Sequence, residues 1–167
     1  MTQDLLSRLA RAWLLTFVVD GLFSSALTVF AYHSTFASLW QRVASVPLGP
    51  SAIEGGDRTV LLGLLIHCCV ALFWSTVFLG ITLASPWVRR VVEEPGGIIK
   101  VAAFYGPLVW ITMSCVLIPR FTGRPPTINF RWWVQFFGHI PFVAIPIASM
   151  IARSAPHRVR QPASSPA

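Results

Sequence analysis

Residues Gln41 to His67 read QRVASVPLGPSAIEGGDRTVLLGLLIH, and the two halves of this stretch obey different rules. The first half is broken by Pro47, Gly49, Pro50, Gly55 and Gly56, residues that interrupt regular structure. The second half offers Asp57 or Thr59 as a helix cap and then turns apolar. It runs on as roughly Thr59 to Ala84, closed by Ser85-Pro86 and by Trp87, Arg89 and Arg90. About 20 apolar residues are needed to cross a hydrocarbon core, so this segment is of membrane-spanning length. A connector that feeds a span with a histidine inside it makes lipid the solvent to reason with.

Upstream of the connector, Phe36, Leu39, Trp40 and Val43 recur at i, i+3, i+4 and i+7, which predicts a short helix ended by Pro47. Its expected place is flat in the interface, with Trp40 at headgroup depth. Ala12 to Tyr32 forms an earlier apolar run, interrupted by Asp20. A signal peptide cleaved near Ser24-Ser25-Ala26 is the competing reading, but the apolar run continues past that point, so it is read as a retained first span. Met1 to Arg11 has Leu5, Leu6 and Leu9 at helical spacing and is expected to lie on the membrane surface before the chain enters.

Downstream, VVEEPGG at Val91 to Gly97 is a polar connector into a third span, Ile98 to Ile118, which Pro107 is expected to kink. Pro119 to Asn129 is a second rigid connector. The fourth span, Trp132 to Ala152, contains Pro141 and Pro146. The fold class is therefore an all-α integral membrane four-helix bundle with an interfacial helix between spans 1 and 2. One domain covers 1–152, and the basic, proline-rich tail 153–167 is expected to be disordered.

Composition agrees. Of the 167 residues 54% are hydrophobic and 11% charged, and mean hydropathy is +0.66, outside the range of ordinary soluble domains. The net charge of +7 does not point to nucleic acid, because the 13 Lys and Arg residues sit at the ends of apolar runs and form no single basic face. Anionic lipid headgroups are the expected partners. Arg8, Arg11, Arg89, Arg90, Lys100, Arg153, Arg158 and Arg160 fall on the side of the termini, against Arg42, Arg58, Arg120, Arg124 and Arg131 on the other, so the termini are expected in the cytoplasm. Cys68, Cys69 and Cys115 lie within apolar runs and form neither a metal pair nor a disulfide framework.

Ionisable groups inside spans are costly and turn toward partners. Three occur here: Asp20, His67 and His139. Counted from the span boundaries at 1.5 Å per residue, all three lie within about one or two turns of one level. Thr16, Asp20, Ser24 and Thr28 share one face of span 1, and Gly63, His67, Ala71 and Ser75 one face of span 2. Small and polar residues at that spacing allow close helix packing. Gln135, one turn before His139, extends the polar strip.

Three uses of this cluster are open. It can hold the bundle together by hydrogen bonds, or exchange protons as part of a transporter, channel or pH-responsive element. The third is axial ligation of a b-type haem by His67 and His139, with Arg58, Arg120 or Arg131 near the propionates. No G-x-S-x-G, H-E-x-x-H, P-loop or G-x-G-x-x-G motif is present, so the chain is read as non-enzymatic, with no metal and no resident cofactor.

Several short matches occur in order along the chain: Asp20, Gln41-Arg42, Ala44-Ser45, Leu48-Gly49-Pro50, Gly55-Gly56, Leu62-Gly63, His67, Tyr105-Gly106, Met113, Val116, Pro119, Gly138-His139, Pro146 and Ala148. In these the chain resembles a group of small uncharacterised four-span bacterial inner-membrane proteins. It departs from them at Ser45-Val46-Pro47 and Ala144-Ile145-Pro146. In the His67 span, the proline-containing third span and Phe137-Gly138-His139 it is also similar in layout to YagU-type membrane proteins, which are linked to acid resistance. The resemblance implies a multi-pass inner-membrane topology and a pH-linked role; the chain as a whole is read as acting in envelope or pH homeostasis, as a homo-oligomer or with a membrane-protein partner.

Overall fold

In the computed structural model, which describes residues 2–152, every regular element is helical. The basic tail expected to be disordered lies outside the described residues. Four helices are long and apolar enough to cross a membrane: Gln3–Ala31, Gly56–Ala84, Gly97–Thr122 and Phe130–Ala152. Their outer faces carry large apolar side chains in the open, among them Leu22, Leu61, Phe104 and Phe137, all at least 60% exposed. A soluble fold does not leave such a belt bare, whereas lipid covers it at no cost.

Helix α1, Thr2–Ala26, continues without interruption into a π-helical turn, Leu27–Ala31. The expected surface segment before Arg11 is thus part of the same rod. No Gly or Pro breaks it before Gly21, and Asp4 pairs with Arg8 and Arg11 with Ser7 one turn apart, which favours continuation. Past the π turn, Tyr32 N donates to Leu27 O, and exposed His33 takes a left-handed conformation (φ 50°) that turns the chain back.

Helix α2, Phe36–Leu48, starts at a Thr35 cap whose hydroxyl accepts from Ser38 N and stops at Gly49, whose φ of 88° suits glycine. A 3₁₀ turn, Pro50–Glu54, leads into α3, Gly56–Ala84, and α2 folds back along the first turns of α3 as a helical hairpin. Gly63 makes that fit. A Cβ there would stand 1.9 Å from the Trp40 carbonyl oxygen, so only a bare backbone lets α2 come this close. Trp40 is consequently 2% exposed, packed against the bundle instead of standing free on its surface.

Between spans 2 and 3 the polar connector proves partly helical. Ser85 caps α4, Pro86–Glu93, and Pro86 occupies its first turn, a favoured start because proline has no N–H to lose there. Val92 is buried while Trp87, Arg89 and Arg90 are exposed, so α4 has one apolar and one polar face. Helix α5, Gly97–Ile111, runs through Pro107 and widens to a π-helical segment, Thr112–Leu117, before the short α6, Ile118–Thr122. The fourth span comprises α7, Phe130–His139, a π segment, Ile140–Ala144, and α8, Ile145–Ala152. Both later π segments precede a proline. Pro119 and Pro146 lack N–H groups and crowd the carbonyls of Cys115 and Phe142, four residues earlier and inside the widened turns. Helix α5 keeps its helical winding through Pro107, and the widened turn begins five residues later, at Thr112.

The core lies where α1, α3, α5 and the fourth span meet, around Ala12, Trp74, Phe78, Tyr105, Val109, Ala144 and Ile147. Tyr105 Oη donates to Trp74 O at 2.6 Å and ties α5 to α3. Phe23 stacks on Phe142 at 4.0 Å and ties α1 to span 4, and Gly138 leaves room for the Phe23 ring.

Candidate functional site

Asp20 and His67 reach the same point from facing spans. His67 Nε2 stands 3.8 Å from Asp20 Oδ2 and 3.3 Å from Phe17 O. A carbonyl can only accept, so the Nε2 proton points at Phe17 and the carboxylate waits just beyond hydrogen-bond length. Asp20 Oδ1 is buried and has no partner among the described residues. Trp40 covers the imidazole at 5.2 Å between ring centres, Phe17 lies at 5.5 Å, and Gly21 faces both Trp40 and His67.

Two turns before Asp20, Trp13 Nε1 donates to Cys68 O at 2.9 Å, which sets the register of α1 against α3 and so holds Asp20 opposite His67. Along the same faces, Thr16 and Ser75 are fully buried and their hydroxyl oxygens have no partner. Ala71 is buried between His67 and Ser75. Ser24 and Thr28 are half-buried, and the Thr28 hydroxyl donates to Ser24 O.

His139 is placed differently. Its Nδ1 lies 2.7 Å from the Gln135 carbonyl one turn back on its own helix, and its ring packs on Trp110 at 4.8 Å. Gly106 explains the second contact: a Cβ there would meet the His139 backbone at 2.7 Å, so α5 approaches closely and Trp110, one turn on, lands on the ring. Among the described residues, no hydrogen bond or ion pair joins His139 to Asp20 or His67. The structure thus brings two of the three ionisable groups together and holds the third by a separate aromatic contact.

For the haem alternative, two axial ligands must aim nitrogens at a common plane. Here His67 Nε2 is turned to Phe17 O and Asp20, whereas His139 bonds Gln135 O through Nδ1, the arrangement that leaves Nε2 for a ligand; neither residue lines either of the two cavities described. Among the described residues, no group of three His, Cys, Asp or Glu converges as metal ligands would.

Trp40 and Trp110, the two aromatic lids, are absent from the sequence-level site. Only their glycine partners hinted at them, since Gly63 and Gly106 mark close backbone approaches whose far side a sequence does not show.

Fold and site together define a helical protein of four candidate membrane spans with a buried carboxyl–imidazole pair. Comparison with protein-family models, with curated proteins and with solved structures finds no match for the chain.

Proposed function

We propose that this chain is a non-enzymatic, multi-pass protein of a bacterial inner membrane, with both termini cytoplasmic, in which the Asp20–His67 pair takes up a proton and sets how tightly α2 caps the bundle. The observation that carries this reading is the contact itself: an imidazole 3.8 Å from a carboxylate with one orphaned oxygen, roofed by a tryptophan from another element. An unpartnered carboxylate oxygen away from water is costly, and a proton shared with His67 relieves that cost. A cation within about 6 Å of an indole face is held by it, so a protonated His67 draws Trp40, and α2 with it, onto spans 1 and 2. The groups facing His67 are Asp20 and the Phe17 carbonyl from α1 and Trp40 from α2. Acid therefore tightens the cap.

Hydrogen exchange in lipid nanodiscs tests this. The 36–48 peptide of the unaltered protein is expected to exchange more slowly at pH 5.5 than at pH 7.5, after correction for the intrinsic rate. Asp20→Asn and His67→Ala should remove that difference. An equal pH response in all three proteins would sink the reading.

A second reading, proton passage, is favoured by Thr16 and Ser75, whose orphaned hydroxyls extend from the pair along the same faces. Bound water is the usual partner for such groups. Proton flux into proteoliposomes that persists unchanged in Asp20→Asn would remove it.

A further inference from the structure

A cavity of about 540 Å³ opens where the ends of spans 1, 3 and 4 meet α2 and the 123–129 connector. Its wall carries three arginines from three separate elements: Arg42 of α2, Arg124 of the connector and Arg131 of α7. Among the described residues, no acidic side chain lines it. Among the described residues, none of the three arginines is paired with a carboxylate, and none of their guanidinium groups donates a hydrogen bond. Arg131 instead rests on the Tyr32 ring at 4.2 Å, which fixes one guanidinium at the edge of the cavity. The Tyr32 hydroxyl is itself buried without a partner.

The floor is of different character. Trp110, Trp132, Leu39 and Pro119 line it, and Trp132 is held by a 3.1 Å bond from its Nε1 to Ser114 Oγ. Arg42, Arg124 and Arg131 are all exposed, so water screens their mutual repulsion, and what they offer an anion is three unpaired guanidinium forks lining one cavity. Planar guanidinium forks match phosphate oxygens in pairs, and the apolar floor fits the part of a ligand next to its phosphate. The cavity also sits at the ends of the candidate spans, the level at which lipid phosphates lie.

We propose that this cavity binds a phosphate ester, with Arg42, Arg124 and Arg131 clasping the phosphate and Trp110 and Trp132 receiving the adjoining apolar part. The inference stands apart from the Asp20–His67 pair, which does not line the cavity. The ligand chemistry has two natural sources, the headgroup of an anionic phospholipid and a soluble phosphate ester.

The test uses the full chain in a neutral detergent and follows tryptophan fluorescence, since two tryptophans form the floor. The probes are short-chain dihexanoyl phosphatidylglycerol, glycerol 3-phosphate and inorganic phosphate. Saturable binding of at least one is expected, weakened about tenfold by each of Arg42→Gln, Arg124→Gln and Arg131→Gln. Arg58→Gln, outside the cavity, should bind as the unaltered protein does. Arg131→Lys keeps the charge but loses the planar fork and should fall between Arg131 and Gln. Phosphatidylglycerol binding alone assigns a lipid headgroup; equally tight binding of glycerol 3-phosphate assigns a soluble ester. Helix content by circular dichroism confirms that the variants fold. If no phosphate compound saturates, or if the folded triple Gln variant binds as tightly as the unaltered protein, the proposal is wrong.

Discussion

Gly63 and Gly80 occupy the same helix and answer to opposite constraints. A methyl group at Gly80 meets open space, so Gly80→Ala removes only the backbone freedom of glycine and should raise stability by up to roughly 1 kcal/mol. At Gly63 the same methyl collides with the Trp40 carbonyl, and the hairpin has to part. Gly63→Ala is expected to cost on the order of 1–3 kcal/mol and to shift tryptophan emission as Trp40 leaves its site. Unfolding in mixed micelles with a fluorescence readout distinguishes the two, and indistinguishable behaviour would refute the role given to Gly63. The carboxyl–imidazole contact belongs to this scale too. Counting from span boundaries places Asp20 and His67 at one level because helix rise is constant. It cannot supply rotation about the helix axis, which here depends on the Trp13 bond to Cys68 O and on the aromatic ring of Trp40 from a third element.

At the scale of elements, two connections show how local chemistry and packing divide the work. Helix α4 was within reach of a sequence reading: Ser85-Pro86 is a cap followed by a favoured first residue, and VVEEPGG obscured it only by its polarity. Ser85→Ala should fray α4 at a cost of about 1 kcal/mol, visible as faster exchange of the 86–93 amides with little change elsewhere. The tie between α5 and α3 was not within reach, because Tyr105 and Trp74 are 31 residues apart and nothing local marks a tyrosine as the donor to a distant carbonyl. Tyr105→Phe should lower unfolding stability by about 1 kcal/mol, the usual worth of one interhelical hydrogen bond in a membrane protein, without loss of fold. A drop several times larger would mean that Tyr105 holds more than this bond. Pro107 illustrates the limit of reading breakers singly. Helix α5 passes through it, and the widening appears where Pro119 acts from downstream.

For the whole molecule, four apolar runs were legible because a span announces itself by length and hydropathy alone. What covers the bundle was not, since the α2–α3 hairpin and the arginine-lined cavity arise from residues far apart in the chain. The orientation proposed from the Lys and Arg count can be read out directly. In a Cys68→Ala, Cys69→Ala, Cys115→Ala background, Ser51→Cys should react with a membrane-impermeant maleimide in intact cells, and Glu94→Cys only after permeabilisation. The reverse pattern would invert the proposed topology and place the cavity on the cytoplasmic side.

The three π-helical turns have a consequence for how the gene tolerates change. Such a turn is an α-helix holding one residue more than its neighbours need, so removing that residue restores regular winding without rotating the flanks. Single codon deletions within Leu27–Ala31, Thr112–Leu117 or Ile140–Ala144 should therefore leave an insertable protein. In α3, which is α-helical throughout, the same lesion turns everything beyond it by about 100° and should abolish accumulation. A deletion scan scored by membrane-inserted protein would then trace spans 1, 3 and 4 by their spare residues, and span 2 by having none.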